Sequence, residues 1–300
     1  MVNINLPDRL KRFEIPGRVR LLEGNGDLPK MEILSDWSTA EIYLHGAHVT
    51  DFRIKGEPPL LFTSQFSRFD PTQPIRGGIP IIFPWFGPRE GEPTHGFARI
   101  SDWELHEVTA LPEGGVTLRF SLPDTPEGAT WPAFTAHYVV TVAESLTLEL
   151  RITNTAPGTS FSFENCLHTY FAVGDIGAVS IRGLKGAAYL DKVENFAPKS
   201  ETNDALKISS EVDRVYLDAS GLVEIIDPSL QRKIAVEKSG SSSTVIWNPW
   251  ITKSQQMPDF GNEEYRQMVC VESGNVGRNK ISLPSGKTCS LKVALSSIPL

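Results

Sequence analysis

Cysteine is scarce: three residues, Cys166, Cys270 and Cys289, in a chain of 300. An odd, low count argues against a disulfide framework, and no two are spaced as a zinc knuckle would need. Long apolar runs are missing too. The most apolar stretch, Gly77 to Pro88, is short and broken by Pro and Gly, so it does not suit a membrane span. The first residues turn charged early and hold no apolar signal-peptide core. Positive charge is not in excess. Lys and Arg number 29 against 36 Asp and Glu, a net charge of −7. Bulk-charge binding to nucleic acid is thereby disfavoured. No Walker A sequence, no Gly-x-Gly-x-x-Gly before a helix and no Gly-x-Ser-x-Gly elbow occurs, so nucleotide chemistry and serine hydrolysis have no support. Together these absences predict a soluble cytoplasmic protein with no membrane and no nucleic-acid partner.

What is present has a period of two. Val116, Leu118, Phe120 and Leu122 alternate with polar residues, as do Leu146, Leu148, Leu150 and Ile152, and again Leu291, Val293 and Leu295. Each run reads as a half-buried strand. Ala40 to Ile54 reads as two strands kinked at Gly46. Leu222–Ile226 and Lys233–Val236 read as a hairpin around Asp227-Pro228-Ser229. No window of a dozen residues keeps an apolar stripe of helical period. Many short strands with regular turns predict an all-β protein, a large antiparallel sandwich with few short helices. One domain is expected over residues 31–300, preceded by an extension, residues 1–30.

Three segments break the strand pattern. The first, Pro74 to Pro88, leads on to Thr94-His-Gly-Phe-Ala-Arg99. Its prolines and glycines prevent a regular ladder, and irregular backbone beside Arg and His suits either a site-forming loop or a solvated surface turn. The second is Phe161 to Phe171. Read as one strand, it puts His168 on a face with Glu164, Cys166 and Tyr170. A histidine there is either a hydrogen-bonded core residue or an acid whose charge switches near neutral pH. The third runs from Val245-Ile-Trp-Asn-Pro-Trp250 to Met268-Val-Cys-Val-Glu272-Ser-Gly274. Glu272 reads as closing an apolar strand before a Ser-Gly turn, either an ordinary turn carboxylate or a working one. Trp247 and Trp250 suit a sugar platform or the core. His45 and His48, three apart on a strand, face opposite sides, so no metal site is expected.

These segments together resemble the aldose 1-epimerase superfamily, and more closely its hexose-6-phosphate mutarotase branch, the glucose-6-phosphate 1-epimerases. The resemblance rests on Ile75-Arg-Gly-Gly-Ile-Pro80 with Phe83-Pro84, His95-Gly-Phe-Ala-Arg99 and Leu167-His-Thr-Tyr-Phe171. It continues through Val212-Asp-Arg-Val-Tyr216, Val245–Trp250 and Val271-Glu-Ser-Gly274, in the family's order, over roughly residues 35 to 298. It implies the supersandwich fold and interconversion of the α and β anomers of a hexose 6-phosphate, with no cofactor. It implies His168 and Glu272 as catalytic residues, Arg76, Arg99 and Asp213 as substrate contacts, and His95 as a sugar contact. Thr94 stands where the branch often carries Gln, so the contact there would reach less far.

The chemistry fits these residue types. Opening a cyclic hemiacetal removes a proton from the anomeric hydroxyl and delivers one to the ring oxygen. Ordinary pKa values of about 4.3 for Glu and 6.5 for His place both groups within reach of neutral pH. The expected assignment is Glu272 as base and His168 as acid, exchanging roles on closure. Arginines offer planar charge-assisted donors to phosphate, so Arg76 and Arg99 could clamp the distal end, with Arg89 as an alternative member. The expected partner is thus a small hexose 6-phosphate, bound by a monomer. Three alternatives remain: a mutarotase for unphosphorylated aldoses, a sugar-phosphate-binding protein without turnover, and glycoside cleavage, which ordinarily needs two carboxylates.

Overall fold

A computed structural model describes residues 8–300. Strands dominate it, and the α-helical segments are Asp8–Lys11 and Trp250–Ser254. Among the described residues, no helix is long and apolar enough to cross a membrane.

A nine-stranded antiparallel sheet runs in the order 205–207, 180–182, 223–227, 232–239, 288–299, 146–154, 134–142, 116–121, 104–110. The alternating runs read from the sequence all lie here. Leu146, Leu148, Leu150 and Ile152 are fully buried, as are Leu118, Leu291 and Leu295. Alternation buries one face of each strand, the arrangement that a sandwich needs. The hairpin at Asp227–Arg232 is present, with Val223 opposite Val236.

The second large sheet runs in the order 197–200, 188–191, 212–217, 243–248, 268–275, 165–167, 81–82. Strand 170–172 also pairs with 268–275. One of its faces supplies Val212, Tyr216, Ile246, Val269 and Val271 to the main core. Its other face carries a small apolar cluster of Ile82, Cys166, Val215, Leu217, Val245 and Val276. This other face bears the candidate site.

A four-stranded sheet, 19–23, 29–34, 38–43, 48–54, completes the large architecture. Its last two strands are the pair expected around Gly46. The sequence boundary after residue 30 falls inside the strand Pro29–Leu34. Leu10, Phe13, Val19 and Leu21, from the segment set apart as an extension, join the main core. Residues 1–7 of that extension lie outside the described residues.

Two expectations are corrected. Phe161–Phe171 is three short strands, 161–163, 165–167 and 170–172, broken at Glu164 and at His168–Thr169. Glu164 turns away to accept from the backbone N–H of Phe86. In the second break, His168 N donates to Pro80 O and Val271 N donates to Thr169 O. The chain there hydrogen-bonds to neighbours on both sides while leaving the ladder. Glu272 does not close its strand. The strand Met268–Asn275 runs through Ser273 and Gly274 and is buried along its whole length.

Candidate active site

Strand register gathers the site. Asp213 lies opposite Trp247, Trp247 opposite Cys270, and Cys270 opposite Tyr170. One step along, Val215 faces Val245 and Val245 faces Glu272. Directly opposed residues share a face, so Asp213, Trp247, Cys270, Tyr170 and Glu272 all point to one side of the sheet. Next comes Gly274 opposite Cys166. A Cβ on Gly274 would come within 2.4 Å of Asn165 O and 2.7 Å of the Cys166 Cβ, so glycine permits this close approach.

His168 and Glu272 meet on this face. His168 Nε2 lies 3.2 Å from Glu272 Oε1, with side-chain exposures of 10% and 1%. Cys166 donates its S–H to the other carboxylate oxygen, at 3.6 Å. The carboxylate is therefore held on both sides. The Tyr170 ring stacks on the His168 ring at 4.8 Å and 14°, while Trp247 and His95 meet its edge at 6.2 and 5.7 Å.

Burial dominates the electrostatics of the pair. It pushes Glu272 well above the ordinary carboxylate range. Asp213 adds to this, while Lys192, Cys166 and Arg99 oppose it. Burial likewise pushes His168 well below the ordinary imidazole range, helped by His95, Arg99 and Arg76. These surroundings thus favour an uncharged imidazole beside a protonated carboxyl. The ion-pair form holds the same single proton on the other partner, so the two groups titrate as a unit.

Above His168 opens a cavity of about 520 Å³, lined among others by Arg68, Arg76, Thr94, His95, Arg99 and Asp259. Arg76 Nη2 and Nε lie 3.0 and 3.1 Å from Asp259 Oδ2, and Nη1 donates to the Tyr170 hydroxyl at 3.1 Å. Burial opposes its charge, but Tyr170 and Asp259 outweigh that and keep the guanidinium ionised. Arg99 Nη2 donates to Thr94 O at 2.6 Å, while its buried Nε has no partner among the described residues. Burial pulls its pKa down to about 10, so it too remains a cation near neutral pH.

The loop that presents these groups is pinned from beneath. His48 Nε2 bonds Gly77 O at 2.7 Å and His45 Nε2 bonds Gln73 O at 2.9 Å. Gly77 and Gly78 have φ of +116° and +58°, and a Cβ at Gly78 would come within 2.3 Å of Val49 O. Only glycine combines that backbone with that proximity. The two histidines thus support the loop separately. His95 has φ +67°, and its Nδ1 accepts from Gly87 N–H at 3.1 Å, as a neutral ring does. Burial, then Arg99, Lys192 and Arg76, push its pKa down to about 2.

Of the residues singled out by sequence, His168, Arg76, Thr94, His95 and Arg99 line one cavity, and Glu272 lies directly behind His168. Asp213 sits on the same sheet face but off the cavity wall, ion-paired to Lys192 at 2.9 Å. Arg89 is exposed, with its guanidinium over the Trp85 and Trp131 rings at 5.0 and 5.7 Å, away from the cavity. Trp247 edges the site, whereas Trp250 packs on Tyr265. Asp259 and Lys192 carried no sequence signal, because their partners Arg76 and Asp213 are distant in the chain. His168, Cys270 and Glu272 bring donor atoms within 4.8 Å of one another.

Known proteins resemble this chain over most of its length. A protein of Cenchrus ciliaris named "Putative glucose-6-phosphate 1-epimerase" is 37% identical over 269 residues, 87% of this chain and 82% of that one. One of Escherichia coli strain K12 bearing the same name is 36% identical over 242 residues, 78% and 79% of the two chains. A crystal structure from Salmonella typhimurium, described as a "putative mutarotase (YeaD)", superposes with a TM-score of 0.85. It is 28% identical, and the match covers 94% of this chain and 97% of that one. Residues 32–296 match the family described as aldose 1-epimerase, so the match takes in both large sheets and every residue of the candidate site, and the chain belongs to the aldose 1-epimerase family.

Proposed function

We propose that the protein interconverts the α and β anomers of a hexose 6-phosphate, glucose 6-phosphate first among them, without a cofactor. The observation that carries this reading is the His168–Glu272 pair, 3.2 Å apart, at the floor of a cavity that also holds Arg76 and Arg99. The names of the relatives point the same way.

The anomeric hydroxyl and the ring oxygen share one carbon, so an acid and a base side by side can serve both. Glu272 takes the hydroxyl proton as His168 gives a proton to the ring oxygen, and the C1–O5 bond breaks to leave an aldehyde. Rotation about the C1–C2 bond presents the other carbonyl face. The ring hydroxyl then attacks it, returning its proton to His168, while Glu272 protonates the carbonyl oxygen. No atom is gained or lost. Arg76 and Arg99 hold the phosphate during the rotation, keeping the two ends of the open chain near each other. Thr94 and His95 line the sugar's path between them, and Asp213, held by Lys192 off the cavity wall, acts through the charge of Glu272.

Anomer exchange followed by NMR tests this. Exchange of glucose 6-phosphate should be accelerated well above the spontaneous rate, with a higher kcat/KM than for free glucose. Equal values for the two sugars would sink the phosphate reading and favour a mutarotase for unphosphorylated aldoses. No acceleration of either would favour a binding protein.

A further inference from the structure

The phosphate end of the cavity and the acid–base pair are physically joined. Arg76 Nη1 bonds the Tyr170 hydroxyl at 3.1 Å, the Tyr170 ring lies flat on His168 at 4.8 Å, and His168 Nε2 reaches Glu272 at 3.2 Å. Three contacts thus connect a phosphate-facing guanidinium to the carboxylate.

The charges along this path oppose one another. Facing His168 are His95, Arg76 and Arg99 from the loop, Glu272 and Cys270 from the adjacent strand, and Tyr170 from its own segment. Beyond Glu272 lie Cys166, Asp213 and Lys192. The acid step needs a positively charged imidazole, yet two arginine cations bear on His168 in a site with little water to screen them. Among the described residues, Arg76 forms an ion pair with Asp259 only. Among the described residues, Arg99 has no carboxylate within ion-pair distance; Asp259 and Glu272 act on it only from further off, its Nη2 bonds the Thr94 carbonyl and its Nε is unpartnered. These surroundings therefore disfavour the charged form of the acid, and what would correct this is negative charge on the arginines.

We infer that a dianion seated on Arg76 and Arg99 activates the His168–Glu272 pair, so that the substrate's phosphate speeds the chemical step as well as holding the sugar. This rests on the function proposed above. A dianion on the guanidiniums offsets the field of both at His168, whereas at Glu272 Arg99 is only the smallest of the named influences, so the single proton of the pair moves towards the imidazole. Binding energy gathered far from carbon 1 is then expressed in the transition state, where it raises kcat. Uniform binding would change KM alone. The anion need not be attached to the sugar. A free dianion of the same shape should act on an unphosphorylated hexose.

The experiment adds inorganic phosphite to wild-type protein and free glucose and follows anomer exchange by NMR, subtracting the enzyme-free rate because phosphite itself catalyses mutarotation. The expected result is an enzyme-proportional, saturable rise of about tenfold or more, since each pKa unit regained by His168 multiplies its acid form about tenfold. In the same titration the His168 ring-nitrogen resonances should move towards imidazolium. If glucose 6-phosphate outpaces glucose but phosphite leaves both the glucose rate and the His168 signals unchanged, the phosphate is only a handle and the inference is overturned. If glucose 6-phosphate has no advantage over glucose, the phosphate reading fails and this inference falls with it.

Discussion

The carboxylate of Glu272 is held at one oxygen by the Cys166 thiol and faces His168 with the other. Burial, with Asp213 adding to it, keeps the carboxyl protonated well above its usual range, and neither of these two partners brings a full charge to offset that. Glu272→Gln keeps the shape and removes the base. His168→Ala removes the acid and opens space under Tyr170. Each should lower kcat by about 10²–10⁴, the usual share of one positioned proton transfer. The double variant should lose little more than the worse single one, because the two act as a unit. Circular dichroism should show the fold intact, and turnover near wild type in either variant would move the chemistry elsewhere. Much of this site was legible. His168, Glu272, Arg76 and Arg99 stand in segments that break the strand pattern, and function disrupts regularity. Asp259 and Lys192 were not legible, because each matters through a partner, Arg76 or Asp213, that the fold alone brings near.

Strand Met268–Asn275 is the member on which the site depends, since it carries both Cys270 and Glu272 and pairs with three neighbours. The sequence reading ended it at Glu272 because Ser-Gly normally marks a turn. Here Gly274 serves a different purpose: it lets the strand 165–167 approach closely enough for Cys166 to reach the carboxylate. Phe161–Phe171 departs from the single-strand reading for a related reason. Its apolar residues satisfy a continuous strand pattern, and only the hydrogen bonds from His168 N to Pro80 O and from Val271 N to Thr169 O reveal the break. Gly274→Ala should therefore destabilise the protein by about 1–3 kcal/mol through overpacking. It should also reduce turnover, as the pushed strand shifts Cys166 and, with it, Glu272. Gly221→Ala is the control, for a Cβ there meets nothing within 4 Å. Urea unfolding with kinetics on both variants checks this. Equal behaviour would mean that the sheet absorbs the methyl group and that the Cys166 contact does not matter.

The sandwich as a whole was readable from alternation, because a strand with one buried face reports its own period. The same burial sets how the protein answers acid. His48 is wholly buried against Gly77 O, and desolvation holds its pKa down to about 3. His95 is pushed to about 2, chiefly by burial. A histidine whose folded pKa is depressed stabilises above its unfolded value of about 6.5, and that stability is lost as pH falls towards the folded value. Glu272 works in the opposite sense, since its folded pKa is raised and its contribution fades as pH rises. His168 is pushed down as well, so three depressed histidines stand against this raised carboxyl and favour a net loss on acidification. Each histidine contributes a slope of about 1.4 kcal/mol per pH unit below pH 6.5. His48→Gln separates this from the general effect of acid. Its amide can still donate to Gly77 O but cannot take a proton. Urea midpoints at pH 7.0, 5.5 and 4.5 should fall less steeply for the variant than for the wild type, whatever their offset at neutral pH. Parallel lines would mean that His48 is not held neutral, and the loop carrying Arg76 would then have to shift or admit water on acidification.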